Sequence, residues 1–85
     1  MTITGTVIDH RGQAVASAQI SIGRAPTPMP DVVVVTDADG RFAFAAPSPG
    51  RYQLLAYAEG YRIARVGIDV ADGKDTTTTT IKLRH

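Results

Sequence analysis

The two histidines of the chain, His10 and His85, are the first candidates for metal or acid–base chemistry. A zinc hydrolase holds its ion with two histidines and a carboxylate at short spacing, because a tetrahedral ion needs several ligands close together. Here the histidines are separated by nearly the whole chain, and neither His-x-x-Glu nor His-Glu-x-x-His occurs. His10 is predicted to be a solvated turn residue, and no catalytic residue or cofactor is expected.

An Asp-Ala-Asp-Gly sequence begins at Asp37 and is similar to the start of a calcium loop. Calcium takes about six to eight oxygen ligands, and an EF-hand supplies a bidentate glutamate at its twelfth position. Ser48 occupies that position here, so only a site of another kind, recruiting Asp9 or Asp31, would fit. The alternative is a turn whose aspartates accept hydrogen bonds from their own backbone. Asp37 and Asp39 are the metal candidates.

Nucleophilic catalysis is not indicated by the serines. A nucleophile needs a base within hydrogen-bond reach, and Ser17, Ser21 and Ser48 lack a context such as Gly-x-Ser-x-Gly. They are predicted to lie on outward strand positions and in turns.

Arginines provide the remaining charge pattern. Four of them fall on predicted outward strand positions or in turns: Arg41, Arg51, Arg62 and Arg65. They would recognise an anionic group if the fold brought them together. Alternatively, they keep strand faces solvated and protect edges from sheet-to-sheet pairing.

Composition limits the functions that remain. The chain has 85 residues, no cysteine, no tryptophan and a formal charge of +1. It is therefore expected to form one domain, residues 1–85, without disulfides. The small net charge argues against a nucleic-acid module. With no apolar stretch near the ~20 residues of a membrane helix, no membrane insertion is expected, and no signal peptide is visible.

Apolar and polar residues alternate with period two along most of the chain, which predicts strands. Seven are predicted: Thr2–Ile8, Val15–Gly23, Asp31–Thr36, Arg41–Ala45, Arg51–Ala58, Arg62–Ala71 and Thr76–Arg84. The Asp39-Gly40 pair predicts a hairpin turn between the third and fourth. Turn signals at short intervals and no convincing helix indicate an antiparallel β-sandwich, with a small barrel as the alternative.

Inward positions follow from the same alternation. Phe42, Phe44, Tyr52 and Leu54 are expected to fill the space between two sheets. The fifth strand is apolar on both faces and is expected to be central.

One segment does not fit the strand pattern. Arg24–Pro30 contains three prolines at every second position, which removes backbone donors and favours an extended, unpaired chain. Loops on a rigid scaffold commonly carry recognition. This segment is therefore the candidate partner-binding loop, with the residues Arg24, Pro26, Pro28, Met29 and Pro30.

The order of several short motifs carries a family resemblance. They are Ile3-x-Gly5-x-Val7-x-Asp9-x-x-Gly12, Val15-x-x-Ala18-x-Ile20, Thr36-Asp37-x-Asp39-Gly40-x-Phe42-x-Phe44, Pro49-Gly50-x-Tyr52-x-Leu54 and Ala58-x-Gly60-Tyr61. In this order, from Ile3 to Leu83, the chain resembles the carboxypeptidase regulatory-like domain family. The resemblance implies a seven-stranded antiparallel Greek-key β-sandwich of the transthyretin-like type.

The resemblance also implies a function. Such domains accompany metallocarboxypeptidases, outer-membrane transporters, adhesins and secretion proteins, as spacers, folding aids or binding surfaces. A non-catalytic accessory module is therefore expected, outside the cell or in the cell envelope. Its expected partners are a protein or the domains of a parent chain, with the module itself a monomer or weak dimer.

Two alternatives remain. A carbohydrate-binding or calcium-dependent adhesive module would stack sugars on Tyr57 and Tyr61 and hold a metal at Asp37 and Asp39. A hydrolase of the transthyretin-related kind would need a Tyr-Arg-Gly-Ser signature, which is not found in this sequence.

Overall fold

The computed structural model describes residues 1–26, 33–73 and 75–84. Within these residues the chain forms seven β-strands and no helix, so none that could cross a membrane. The strands are β1 (Thr2–Ile8), β2 (Gln19–Arg24), β3 (Val33–Val35), β4 (Arg41–Ala45), β5 (Gly50–Tyr57), β6 (Ala64–Val70) and β7 (Thr76–Lys82).

The described strands form two sheets, which confirms the predicted all-β sandwich. One sheet has three strands in the order β4–β1–β7, and the other has four in the order β3–β2–β5–β6. β5 is thus an internal strand, as its two apolar faces predicted. The Greek-key connectivity stays a prediction.

One strand pair departs from the predicted antiparallel arrangement. β1 pairs in parallel with β7, from Thr2 opposite Thr76 to Ile8 opposite Lys82. A parallel pair needs a long connection between its strands, and the whole chain between β1 and β7 supplies it. The pairing therefore depends on the complete topology, which local alternation does not report.

The core lies between the sheets and is built from the predicted inward positions. Phe42 and Phe44 stack with ring centroids 6.4 Å apart, and Gly5 leaves room for the Phe42 ring. A Cβ on Gly5 would overlap the Phe42 ring. Among the described residues, the largest completely buried side chains are Ile3, Val7, Ile20, Tyr52, Leu54, Ile81 and Leu83.

Tyr52 joins this core to the preceding turn. Its ring is fully buried, and its hydroxyl donates to the carbonyl oxygen of Ser48 at 2.6 Å. The Ser48 backbone N–H donates back to the same hydroxyl at 3.3 Å. A buried tyrosine needs such a partner because an unpaired hydroxyl in an apolar core is costly.

The predicted hairpin at Asp39-Gly40 is wrong, although the predicted turn is present. Gly40 N–H donates to the Asp37 carbonyl at 3.0 Å, as in a tight turn. However, β3 belongs to the four-stranded sheet, whereas β4 pairs with β1 in the other. The turn therefore carries the chain between sheets, because turn chemistry is local and does not determine which strands pair.

The second strand begins later than predicted, at Gln19 rather than Val15. Thr36, which is buried, is hydrogen-bonded to the segment that precedes β2. Its hydroxyl donates to the Val15 carbonyl at 2.7 Å and accepts from the Ala18 N–H at 2.9 Å. Ser17 has a φ of 60°, which bends the chain before β2.

The other strands agree with prediction within two residues at each described end. The predicted start of the third strand, Asp31, lies outside the described residues.

Candidate functional site

The outer face of the four-stranded sheet carries an apolar patch, defined by Val33, Val35, Leu55, Tyr57 and Ile63. Four of these side chains are well exposed: Val33 at 61%, Val35 at 58%, Tyr57 at 45% and Ile63 at 62%. Leu55 is half-buried. Exposed large apolar side chains scattered singly need no explanation, but a contiguous group on one face marks an interaction site.

Strand register brings the patch together. Gln19 of β2 lies opposite both Val35 of β3 and Tyr57 of β5, so these side chains form one row across the sheet. Ile63 precedes Ala64, the partner of Ala56, and therefore continues the row beyond Tyr57. β3, β5 and the residue before β6 thus contribute the apolar side chains of this surface, and Gln19 and Ser21 of β2 lie between those of β3 and those of β5.

The other end of the same face carries an arginine groove, defined by Arg24, Arg51, Gln53, Arg65 and Gly67. These residues line an open groove of about 680 Å³ together with Ala25. Gln53 pairs with Gly67 and with Arg24, so the amide lies on the floor between the arginines.

A β-bulge places Arg24 in this groove. Ile20 and Ile22 face inward, and strict alternation would point Arg24 inward as well. The register shifts between Ile22 and Arg24, so that Ile22 pairs with Leu54 and Arg24 with Gln53. The extra residue in the bulge, Gly23, turns Arg24 to the outer face.

Arg51 is positioned by two residues of β6. Its guanidinium lies against the backbone of Gly67, where a Cβ would be 2.6 Å from Nη2. Arg51 Nη1 donates to Asp69 Oδ1 at 3.2 Å and Oδ2 at 3.3 Å. Both side chains are more than two-thirds exposed, so this ion pair adds little stability, of the order of 0–1 kcal/mol. It does fix the direction of the guanidinium.

The groove has an excess of positive charge. Asp69 offsets Arg51, but no carboxylate within residues 1–26, 33–73 and 75–84 pairs with Arg24 or Arg65. Guanidinium donors bind carboxylates and phosphates in directed geometry. The groove is therefore suited to an anionic group, and the apolar patch beside it to side chains without charge.

The structure separates the four arginines considered from sequence. Arg51 and Arg65 lie in the groove, Arg41 lies on β4 of the other sheet, and the Arg62 N–H donates to the Arg84 carbonyl. The sequence pattern did not place Arg24 in this cluster. The signal was Gly23, because a glycine inside a strand often marks a bulge.

The predicted partner-binding loop lies partly beside the groove. Arg24 ends β2 and lines the groove, and Pro26 packs against Gly50 at the start of β5. Pro28, Met29 and Pro30 lie outside the described residues.

The metal candidates have backbone partners. Asp37 Oδ1 accepts the N–H groups of Asp39 and Arg41, each at 2.9 Å. In the part of the chain that the structure describes, no three His, Asp or Glu side chains are grouped to hold an ion. The metal assignment at Asp37 and Asp39 stays a prediction, and Asp31 lies outside the described residues.

Asp9, the other carboxylate considered for such a site, closes the turn after β1. Its Oδ1 accepts the N–H groups of Arg11 at 2.8 Å and Gln13 at 3.0 Å. The hydrogen bond from Gln13 is the main cause that holds the pKa of Asp9 below its ordinary value, and partial burial opposes it. His10 is exposed in the same turn, and His85 lies outside the described residues.

The two tyrosines proposed for sugar stacking are in different environments. Tyr57 is exposed within the apolar patch, but Tyr61 is half-buried and packs against the core. The expectation that both rings are exposed is wrong for Tyr61.

Comparison with known proteins agrees with the fold. A family model described as "Carboxypeptidase regulatory-like domain" matches residues 2–84. No curated protein sequence matches the chain.

Solved structures with the same fold are larger proteins. Hydroxyquinol 1,2-dioxygenase from Pseudomonas putida DLL-E4 has a TM-score of 0.78 and 13% identity, over 98% of this chain and 55% of that one. The Bacillus anthracis TIE protein has a TM-score of 0.76 and 15% identity, and the match covers 98% of this chain and 16% of that one. BcpA, the major pilin subunit of Bacillus cereus, has a TM-score of 0.74 and 18% identity, and the match covers 98% of this chain and 29% of that one.

At these identities the three structures show a shared fold, and the chain spans from a sixth to little more than half of their length. The family model covers nearly every residue. The chain belongs to the carboxypeptidase regulatory-like domain family.

Proposed function

We propose that the chain is a non-catalytic accessory module that binds a protein through the outer face of its four-stranded sheet. The partner is another domain of the same protein or another subunit of an extracellular or envelope assembly. The observation that carries this proposal is the apolar patch, in which Val33, Val35, Tyr57 and Ile63 are exposed on one face.

The composition of this face supports protein recognition. Protein interfaces combine a buried apolar centre with aromatic and arginine anchors and a polar rim. Tyr57 supplies the aromatic side chain, and Arg65, opposite Leu55, is the residue of the arginine groove that lies next to the apolar patch.

The non-catalytic assignment is supported by the family. The dioxygenase likeness is a likeness of fold at 13% identity and does not extend to activity. The pilin and the TIE protein contain this fold as a minor part of longer chains, which supports an accessory role here.

Photo-crosslinking in the native host tests the proposal. Tyr57 is replaced by p-benzoylphenylalanine, and the matched control carries the same residue at Thr78, which is exposed on the other sheet. We expect a defined protein adduct from position 57 that is lost when Val35→Asp is added. Equal adducts from both positions, or none from position 57, would contradict the proposed surface.

The segment after Arg24 tests how far the surface extends. Scrambling residues 25–30 is expected to leave the fold intact and to reduce crosslinking from position 57. An unfolded product would show that the segment is structural instead.

A second candidate, carbohydrate binding, is favoured by Tyr57 alone, because one exposed ring can stack on a sugar face. A glycan array with and without calcium separates the two functions. Binding that needs Tyr57 and calcium would favour the adhesive module with a metal at Asp37 and Asp39.

A further inference from the structure

The arginine groove contains more cationic groups than the fold requires. Arg24, Arg51 and Arg65 are all exposed on a strand face, where any polar residue would serve solubility. Instead, a bulge turns Arg24 into the groove, and Gly67 lets Arg51 lie flat across β6. Two structural adjustments thus bring three guanidinium groups to one place.

We propose that the arginine groove binds an acidic segment of the protein partner, with carboxylates paired to the arginines and neighbouring apolar side chains on the apolar patch. This inference rests on the proposed function for the class of partner and adds the chemistry that the partner must present.

Charge identifies the kind of segment. Among the described residues, only Asp69 offsets the three arginines, so Arg24 and Arg65 are left to pair with carboxylates of a partner. Desolvated arginine–carboxylate pairs give directed hydrogen bonds and specificity.

Spacing adds a geometric requirement. Arg51 lies opposite Asp69, and Arg65 lies opposite Leu55, so the two arginines originate about 13 Å apart along the strands. Arg24 lies at the level between them, opposite Gln53. An extended peptide parallel to the strands, with acidic residues two or four positions apart, matches this spacing, because alternate side chains point to the same side.

Two observations favour a peptide over a polyanion such as nucleic acid. Asp69 lies at the rim and would repel an extended run of phosphates. The apolar patch continues the same face, and an apolar side chain a few residues beyond the carboxylates would reach it.

The test is a titration of the isotope-labelled chain, followed by NMR, with a synthetic peptide in which Glu alternates with Val. Its counterpart has Gln in place of Glu. Inorganic phosphate and a thymidine oligonucleotide form the other arms. We expect the Glu peptide to bind about 10-fold or more tightly than the Gln peptide, and to shift the resonances of Arg24, Arg51 and Arg65. About 1 M salt should weaken binding, because the Debye length falls to about 3 Å.

Substitutions locate the effect. Arg24→Gln and Arg65→Gln should each weaken Glu-peptide binding about 3-fold to 10-fold, where 10-fold corresponds to about 1.4 kcal/mol. Arg41→Gln is the matched control, because Arg41 is an exposed arginine on the other sheet. The double change Arg24→Glu and Arg65→Glu should reverse the preference toward a Lys peptide. The NMR spectrum of each variant reports whether it is folded.

Equal binding of the Glu and Gln peptides would overturn the inference, as would tighter binding of phosphate or the oligonucleotide. Equal losses in the Arg41→Gln control would also overturn it. These results are distinct from failure of the proposed function. Position-specific crosslinking at Tyr57 without any preference for the Glu peptide would leave the protein-binding face in place and remove only the acidic ligand.

Discussion

The outer faces of the two sheets differ in what they expose. On the three-stranded sheet, parallel pairing places the threonines of β1 beside those of β7, and Thr4 Oγ1 lies 3.0 Å from Thr78 Oγ1. Three threonines of each strand form this array: Thr2, Thr4, Thr6, Thr76, Thr78 and Thr80. The four-stranded sheet instead exposes Val33, Val35 and Tyr57, with Ile63 just before β6, and it gathers three arginines, whereas Arg41 is exposed on the three-stranded sheet.

The side chains exposed on the three-stranded sheet serve folding, whereas those exposed on the four-stranded sheet serve recognition. Threonine favours strands, and cross-strand threonine pairs stabilise a sheet while keeping its surface hydrated. The threonine array is thus explained by the sheet alone. Exposure of Val35, Ile63 and Tyr57 to water does not stabilise the fold. A partner that covers these side chains explains their position beside the arginine groove.

The largest expected losses of stability come from substitutions in the core beneath each outer face, and the two losses should be equal. Phe42→Ala, under the three-stranded sheet, and Tyr52→Ala, under the four-stranded sheet, should each lower the free energy of unfolding by about 3–5 kcal/mol. Such losses are a large share of the total free energy of unfolding, which is about 5–10 kcal/mol for a domain of this size. Thermal or denaturant unfolding measures them. A variant that melts with the parent protein would contradict the core assignment of that residue.

Thr36→Val should have the next largest effect. The substitution keeps the shape but leaves the Ala18 N–H and the Val15 carbonyl without their buried partner. We expect a loss of about 1–3 kcal/mol. Thr80→Val, at an exposed position of β7, is the matched control and should change stability by less than about 0.5 kcal/mol. Similar losses in both variants would mean that the Thr36 hydroxyl does not hold the chain after β3 to the segment before β2.

Outer-face substitutions should distinguish the two sheets by binding rather than by stability. Val35→Thr and Ile63→Thr should change the free energy of unfolding by about 0.5 kcal/mol or less, yet abolish crosslinking from position 57. Thr4→Val and Thr78→Val should leave crosslinking unchanged. If the threonine variants lose crosslinking and the Val35 and Ile63 variants do not, the assignment of the two faces is reversed.

The smallest expected effect is the pH dependence from Asp9, which lies in neither face. Because its folded pKa is lowered, the ionised carboxylate stabilises the fold above its ordinary pKa, and this contribution is lost as pH falls through the lowered value. Asp9→Asn should therefore lower stability near neutral pH, with the difference from the parent protein shrinking in acid. Denaturant unfolding across pH measures this, and a constant difference would contradict the role of charge.

Local chemistry made much of the sandwich predictable. β1 and β4 were predicted to the residue, and the inward positions of Phe42, Phe44, Tyr52 and Leu54 are confirmed, because alternation depends only on neighbouring residues. Strand pairing was harder to predict from the sequence. The turn before β4 has the predicted hydrogen bonds, yet its strands separate into different sheets, since partner choice depends on distant residues.

The candidate site was predictable only in pieces. Arg51 and Arg65 were recognised as outward, but their meeting depends on the pairing of β5 with β6. Arg24 required the bulge, a change of register by one residue that reverses the face of every later side chain. A binding face assembled across strands is therefore visible only once the register is known.

Amide hydrogen exchange measures directly which sheet carries the binding face. It compares the isolated chain with the same chain in its native assembly. A binding face on the four-stranded sheet should slow exchange in β3, in the last residues of β5 and in β6, with unchanged rates in β1, β4 and β7. Protection confined to β1, β4 and β7, or no difference anywhere, would contradict a binding face on the four-stranded sheet.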